Sequence, residues 1–197
     1  ESAEYGAGVD VVCCGGMKFR FKHPGEAIKA GLAYLSEDRK GTGLILDFDV
    51  KTNITITGLR QLVRGFFINE NEEIVLAEQF KDSLKIKTPS IEQKVLNLSG
   101  GNQQKVSIAK WLFVKPKWLI LDEPTRGIDV GAKYEIYTLM NKLVEEDGMS
   151  IIMISSELPE ILGMSDRIYV VSGGRISGEL SREEATQEKI MTMAVDY

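Results

Sequence analysis

Apolar positions along this chain fall into two kinds of run, and their alternation predicts its elements. Three short unbroken stretches, Leu32–Leu35, 118–121 and Ser150–Ile154, have the length and density of strands buried in a sheet, the second of them on both faces. Between them the period lengthens to that of helices. Val106, Ala109, Leu112 and Phe113 share one face of a helix that stops before Pro116, and Ile136, Met140, Leu143 and Val144 share another over 132–146, ended near Gly148. Residues 24–30 form a short helix, with Pro24 at its start and Gly31 placed to end it. Paired runs around glycine dipeptides, 9–14 with 17–21 and Arg167–Ser172 with 175–180, predict two hairpins. Pro159 stands early in one further helix, and Ser181-Arg182-Glu183-Glu184 reads as a capping box opening the last.

From residue 44 to 98 the character changes. Residues 50–57 are rich in β-branched side chains, and 71–84 repeats apolar residues at Ile74, Ala77, Phe80 and Leu84, with Pro89 as a break. This predicts a mainly helical lobe beside a parallel or mixed sheet covered by helices, an α/β fold. One domain in three parts is expected: 1–43 with the first hairpin and a polar loop, 44–110 with the lobe, and 111–197 with the rest of the core and a C-terminal helix.

Length and composition narrow the partners more than the chemistry. At 197 residues the chain suits one sizeable α/β domain or a core with an inserted subdomain, and 43% hydrophobic with 27% charged residues is ordinary for a globular protein. A net charge of -5 without any Lys/Arg cluster argues against nucleic acid; Lys81, Lys85 and Lys87 read as a solvated helix face. No apolar run approaches the roughly 18–20 residues of a membrane span, so work at a membrane requires a partner that holds the chain there. The two cysteines, Cys13 and Cys14, are neighbours that cannot easily bridge and have no second pair for a metal cage. They read as small apolar strand residues in a reducing cytoplasm. The single histidine, His23, reads as a surface residue. Glu1 in place of an initiating Met, and 1–8 without signal-peptide character, lead us to expect a piece of a longer protein.

Three polar clusters carry the candidate chemistry. Ser99-Gly100-Gly101, followed by Asn102-Gln103-Gln104 and then the helical face from Val106, describes a helix N-terminus able to face an anion. The glycines let backbone approach a phosphate, and the first free N–H groups and the positive end of the dipole point at it. The same residues also suit an ordinary cap at Ser99 or Asn102. The cluster Ser36-Glu37-Asp38-Arg39-Lys40 follows a strand, where open α/β sheets hold ligands, or else forms a charged surface loop. Asp122-Glu123 end the run at 118–121. In nucleotide hydrolysis such an Asp holds magnesium, usually through water, and the adjacent Glu polarises the attacking water; two surface acids are the alternative. The ordered combination of Ser-Gly-Gly-Asn-Gln-Gln, one helix, Leu-Ile-Leu-Asp-Glu-Pro-Thr, Gly127-Ile128-Asp129 and a buried strand favours the nucleotide reading.

On these residues the chain resembles the ATP-binding-cassette ATPases. Their signature motif matches 98–104, their Walker B strand matches 118–123, and Asp129 falls at the D-loop aspartate. Residues 36–40, 102–105, 123–133 and 155–160 are similar to the C-terminal cassette of two-cassette ATPases in monosaccharide importers of the ribose, galactose, arabinose and xylose type. The likeness runs from about Gly25 to the C-terminus. The resemblance implies a partial cassette core with a helical subdomain, and ATP and magnesium as ligands. It implies Asp122 and Glu37 on the metal side, Glu123 and Ser156 as catalytic groups, and Ser99, Gly100, Gly101, Asn102, Gln103 and Asp129 around the nucleotide. Glu37 stands where most cassettes carry the Q-loop glutamine. Ser156 stands where most carry the switch histidine, and a hydroxyl lacks an imidazole's charge.

The implied partners are a second cassette, paired head to tail, and a membrane sugar permease docked on the lobe. Nucleic acid is not among them, and the implied location is cytoplasmic, peripheral on the inner face of the cell membrane. One part of the family pattern is missing: no Gly-x-x-x-x-Gly-Lys-[Ser/Thr] occurs, and Gly-Lys appears nowhere. The chain by itself is therefore expected neither to bind ATP tightly nor to hydrolyse it, and to supply its signature to a partner. Two other readings stay open. One is a cassette ATPase unconnected with transport, such as a DNA-repair or chromosome-organising enzyme, although about 55 residues between Leu44 and Ser99 leave no room for sustained heptads. The other is a degenerate, non-catalytic interaction module.

Overall fold

The computed structural model describes residues 12–14, 17–19 and 21–195. Strands β1 (Val12–Cys14) and β2 (Met17–Phe19) pair antiparallel, while residues 9–11 and the turn dipeptide of the expected hairpin lie outside the described residues. Helix α1 (Pro24–Lys29) starts at its proline, and Gly31, at φ +91°, turns the chain into β3 (Leu32–Leu35). His23 is exposed, as expected. The polar loop after β3 closes on itself as a turn of π-helix, Arg39–Gly43, capped by the Asp38 carboxylate, which accepts from the Gly41 amide at 2.9 Å.

The lobe begins with α2 (Val50–Thr55), a helix built from residues that individually favour strands. The Asp49 carboxylate caps it by accepting from the Thr52 amide at 2.7 Å, and Val50 and Ile54 are wholly buried, so cap and burial outweigh local preference. A 3₁₀ segment, Ile56–Gln61, leads into a hairpin the pattern did not predict, β4 (Val63–Arg64) with β5 (Phe67–Ile68), turning at Gly65 with φ +66°. In α3 (Glu70–Ser83), Ala77 is buried as expected, but Glu73 turns inward in place of Ile74, which is 38% exposed. The Glu73 carboxylate accepts the buried Thr55 hydroxyl at 2.6 Å, and that bond to α2 sets the phase. Of the three lysines expected on one helix face, only Lys81 lies on α3; Lys85 and Lys87 follow its end.

Helix α4 (Gly100–Leu112) is shared by both main cores. Val106 and Ala109 pack with Val50, Ile54, Leu62 and Leu84 in the lobe, and Ile108 packs with the sheet. Beyond it lie β6 (Trp118–Asp122), α5 (Val130–Glu145) and β7 (Ser150–Ile154). The central sheet is parallel in the order β3-β6-β7, with Leu32 opposite Trp118 and Trp118 opposite Ser150. Ala33, Leu35, Leu119 and Leu121 are buried against Ile108 of α4 and Ile136, Met140 and Leu143 of α5. Each large apolar side chain so buried contributes roughly 1.5–3 kcal/mol.

The other sheet face corrects two expectations: β6, expected to be buried on both faces, has Ile120 only half-buried, and β7, expected to be a buried strand, has Ile152 55% exposed and Ile154 exposed, with Tyr34 of β3 exposed beside them. Among the described residues α4 and α5 cover one face only. Val144 is a further correction. At 42% exposed it falls outside the stripe of Ile136, Met140 and Leu143.

Helix α6 (Leu158–Met164) carries Pro159 in its first turn, and β8 (Arg167–Ser172) and β9 (Arg175–Ser181) form the expected hairpin. Ile168, Val170 and Leu180 make a third core with Ile190 of α7 (Gln187–Val195). The 181–184 segment does not open that helix. Glu184 accepts from the Ser181 amide and hydroxyl within a separate turn, and the Thr186 hydroxyl, accepting from the Lys189 amide at 3.2 Å, marks the true start. Among the described residues no helix is long and apolar enough to cross a membrane.

Candidate functional site

Parallel register brings the C-terminal ends of β3, β6 and β7 to one edge, with Leu35 opposite Leu121 and Asp122 opposite Ile154. Each strand therefore delivers its next polar residues to the same place, where open α/β sheets bind ligands. Glu123 leaves β6 at φ +46°, a left-handed conformation that costs a non-glycine residue of order 1–3 kcal/mol and needs support from its surroundings. That support comes from the neighbouring strand. The Glu123 amide donates to the Ile154 carbonyl at 2.8 Å, and its carboxylate accepts the Ser156 amide at 2.9 Å. The two expected catalytic residues are thus joined, through the backbone N–H of Ser156 and not through its hydroxyl.

Asp122 is held by a residue the pattern did not single out. The Tyr34 hydroxyl, projecting from β3 between the buried Ala33 and Leu35, donates to the Asp122 carboxylate at 2.7 Å. That bond, with burial adding to it, raises the pKa of the tyrosine above its ordinary value. The strand alternation placed Tyr34 on the face opposite its neighbours; its partner on β6 was not visible without the register.

Glu37, expected beside Asp122 on the metal side, is ion-paired with Arg126 in the turn after β6. Among the described residues no group of three or more His, Cys, Asp or Glu side chains converges as a metal cage. A single aspartate at a strand end nevertheless suits magnesium, which keeps several waters and takes one or two carboxylates alongside phosphate oxygens.

The N-terminus of α4 stands against the turn that follows these acids. A side chain at Gly100 would meet the Gly127 carbonyl at 3.3 Å and the Arg39 guanidinium at 3.4 Å, and one at Gly101 would meet the Ala132 Cβ at 2.5 Å. Gly101 is therefore required by packing within the chain, in addition to any ligand, whereas a Cβ at Gly100 would ask its neighbours to give by only a few tenths of an ångström. Ser99 occupies the cap position, but its hydroxyl accepts from the Asn102 side chain at 2.9 Å and not from the helix backbone, which leaves the first amides of α4 unclaimed by that side chain. The Asn102 side chain also accepts the Lys87 amide at 2.8 Å, and the buried Gln103 side chain donates to the Val95 carbonyl at 3.1 Å. Both expected nucleotide-side amides are thus directed at the lobe. Asp129 caps α5, accepting from the Ala132 amide at 2.9 Å.

Two cations, the half-buried Arg39 and the buried Lys110, tie α4 to the loop after β3. Arg39 donates to the Gln104 side chain at 3.2 Å, and the Lys110 ammonium, also over the Trp111 ring, donates to the Gly43 carbonyl. Burial lowers the pKa of both. The loop expected to carry a ligand is thereby fixed to the helix whose N-terminus is the other candidate ligand site.

The ABC transporter family profile matches residues 18–126. The chain is 61% identical over 178 residues to the L-arabinose transport ATP-binding protein AraG of Geobacillus stearothermophilus, covering 90% of this chain and 34% of that protein. It is 62% identical over 179 residues to the xylose import ATP-binding protein XylG of Thermoanaerobacter pseudethanolicus, covering 91% of this chain and 35% of that one. The chain thus spans about a third of the length of these curated relatives. Among solved structures, the dimeric post-hydrolysis ATP-binding cassette MJ0796 bound to ADP and Pi superposes with a TM-score of 0.72, over 87% of this chain and 73% of that one. At 23% identity it speaks to the fold. The family match covers more than half of the chain and takes in Glu37, Ser99, Gly100, Gly101, Asp122 and Glu123, and this chain belongs to the ABC transporter family.

Proposed function

We propose that this chain is part of the ATP-hydrolysing subunit of a monosaccharide importer, and that it works paired with a second cassette. The observation that carries the reading is the 61% identity to an arabinose transport ATP-binding protein over 178 of 197 residues. An aligned stretch of that length takes in both the α4 N-terminus and the strand-end acids. In this reading Ser99, Gly100 and Gly101 present the first amides of α4 to the phosphates of ATP held by the partner's phosphate loop, where the helix dipole favours negative charge. Asn102, Gln103 and Asp129 support that surface by fixing the lobe and the α5 cap.

On the other side, Glu123 orients and polarises the attacking water, with its carboxylate aimed by the Ser156 amide. The Ser156 hydroxyl remains available to the γ-phosphate. Asp122, aimed by Tyr34, would hold magnesium or its water shell, and the ion would supply neutralisation of phosphate charge. Glu37 reaches that shell only after releasing Arg126. The lobe within 44–110 docks on a membrane permease, which holds the chain at the inner face of the cell membrane.

The test is ATP hydrolysis in proteoliposomes that contain the full protein carrying this chain, its permease and its sugar-binding protein. Arabinose, xylose, ribose or galactose is expected to stimulate the rate, and Glu123→Gln to lower kcat by about 10²–10⁴-fold. A rate indifferent to all of these sugars, or to Glu123→Gln, overturns the reading.

A further inference from the structure

We propose that Glu160, which stands in none of the roles assigned above, is the positioning residue that keeps the Ser156 amide on the Glu123 carboxylate. This rests on the reading of Glu123 as the group that orients water. Glu160 lies in the first turn of α6 and is only 4% exposed. One of its oxygens accepts the buried Thr125 hydroxyl at 2.7 Å, and the other accepts the Ser155 hydroxyl. Thr125 stands two residues after Glu123 and Ser155 one residue before Ser156. One carboxyl group therefore spans the turn after β6 and the turn after β7, and fixes the separation across which Glu123 and Ser156 meet.

The surroundings of Glu160 point to positioning more than to stability. Among the described residues no Lys or Arg pairs with it; Lys133, the cation on α5 that feels its charge, is committed to both oxygens of Glu157. A buried carboxyl held by the Thr125 and Ser155 hydroxyls, with the Tyr137 hydroxyl of α5 beside it, gains little over an apolar side chain of the same shape. What it supplies is direction, because each hydroxyl has one proton and must aim it at a Glu160 oxygen. Ser155 is fixed a second time, accepting the Glu157 amide at 3.1 Å. Glu123 needs such bracing: its left-handed backbone is secured to β7 by the two bonds that flank Ser155, and about 1 Å of slip between the turns would cost of the order of 100-fold in rate.

The experiment uses the full protein with its permease in proteoliposomes and compares wild type, Glu160→Gln, Glu160→Leu, Thr125→Val and Ser155→Ala. Glu160→Leu is expected to lower kcat about 100-fold with KM for ATP changed less than about threefold, and Glu160→Gln, which keeps one acceptor, to lose about tenfold. In a Glu123→Gln background Glu160→Leu should subtract nothing further, because the group it positions is already gone. Thr125→Val and Ser155→Ala should each lower kcat about three- to tenfold, and they carry the test if Glu160→Leu does not fold. Unchanged kcat in the folded variants overturns the proposal while wild-type activity and the Glu123→Gln loss leave the functional reading standing. An equal loss with and without Glu123, accompanied by a raised KM, reduces Glu160 to a structural residue. If Glu123→Gln itself costs nothing, it is the functional reading that fails.

Discussion

Gly101 shows how one residue can satisfy two demands. Its Cβ would fall 2.5 Å from that of Ala132, far inside contact distance, so α4 and α5 approach closely only because this side chain is absent. Gly101→Ala is therefore expected to destabilise the protein by about 1–3 kcal/mol in urea denaturation, despite alanine's better helix propensity. Adding Ala132→Gly removes the clashing methyl and should recover most of that loss. If Gly101→Ala leaves the urea midpoint unchanged, the glycine serves ligand approach alone. At this scale the sequence was informative where chemistry sits at the end of an apolar run. Asp122 and Glu123 could be placed because a buried strand has to end in something polar at the sheet edge. Partners distant along the chain were not legible. Tyr34 meets Asp122 across 88 residues and Glu160 meets Thr125 across 35, and neither spacing leaves a local pattern. The inward turn of Glu73 was hidden for the same reason, since the Thr55 hydroxyl that draws it in comes from another helix.

Between elements, α4 is held by polar bonds as much as by its apolar faces. The Lys105 ammonium, almost wholly buried, donates to the Lys85 carbonyl at 2.9 Å and pairs with Glu135 of α5 at 2.6 Å. The Lys105 hydrogen bond holds the Glu135 carboxyl below its ordinary pKa, with Lys87 adding to the effect. A carboxyl with a folded pKa below its unfolded value contributes stability above the unfolded value, near 4.3, and loses it as pH falls through the folded one. Glu135→Gln should therefore have a lower urea midpoint than wild type at pH 7, and the gap should close at a pH below the lowered folded pKa, where the wild-type carboxyl is protonated too. A gap of equal size at both pH values would mean that Glu135 acts through packing and not through its charge. Helix α4 itself was legible from Val106, Ala109, Leu112 and Phe113. Its polar bracing was not, because a lysine on an amphipathic helix reads as solvated unless a carbonyl and a carboxylate can be seen waiting for it. The same limit explains α2, where β-branched residues form a helix once Asp49 caps it and the lobe buries Val50 and Ile54. The expected division at residues 44–110 and 111–197 cuts through α4, which belongs to both cores.

Over the whole molecule, charge at the sheet edge decides what the chain can bind unaided. Asp122, Glu123 and Glu37 gather there, and the cation placed with them, Arg126, is already paired with Glu37. A nucleoside triphosphate brings several more negative charges to the same place. Cassettes offset that repulsion with a lysine and a cradle of backbone amides in the sequence Gly-x-x-x-x-Gly-Lys-[Ser/Thr], and these 197 residues contain no such stretch. The amides that can face phosphate are at the N-terminus of α4, which packs on Gly127 and Ala132 and offers an anion site to whatever stands opposite it. The 197-residue chain alone is therefore expected to give no micromolar MgATP binding by calorimetry. Mixed with a cassette that carries the phosphate loop, it should form an ATP-dependent complex on a sizing column, one that Gly100→Asp disrupts by placing a carboxylate where the phosphate would sit. Micromolar affinity of the chain alone, abolished by Asp122→Asn or Glu123→Gln, would show that the strand-end acids and their magnesium suffice without the loop. Failure to associate with any cassette would remove the paired site instead, because the α4 amides would then have no phosphate to face.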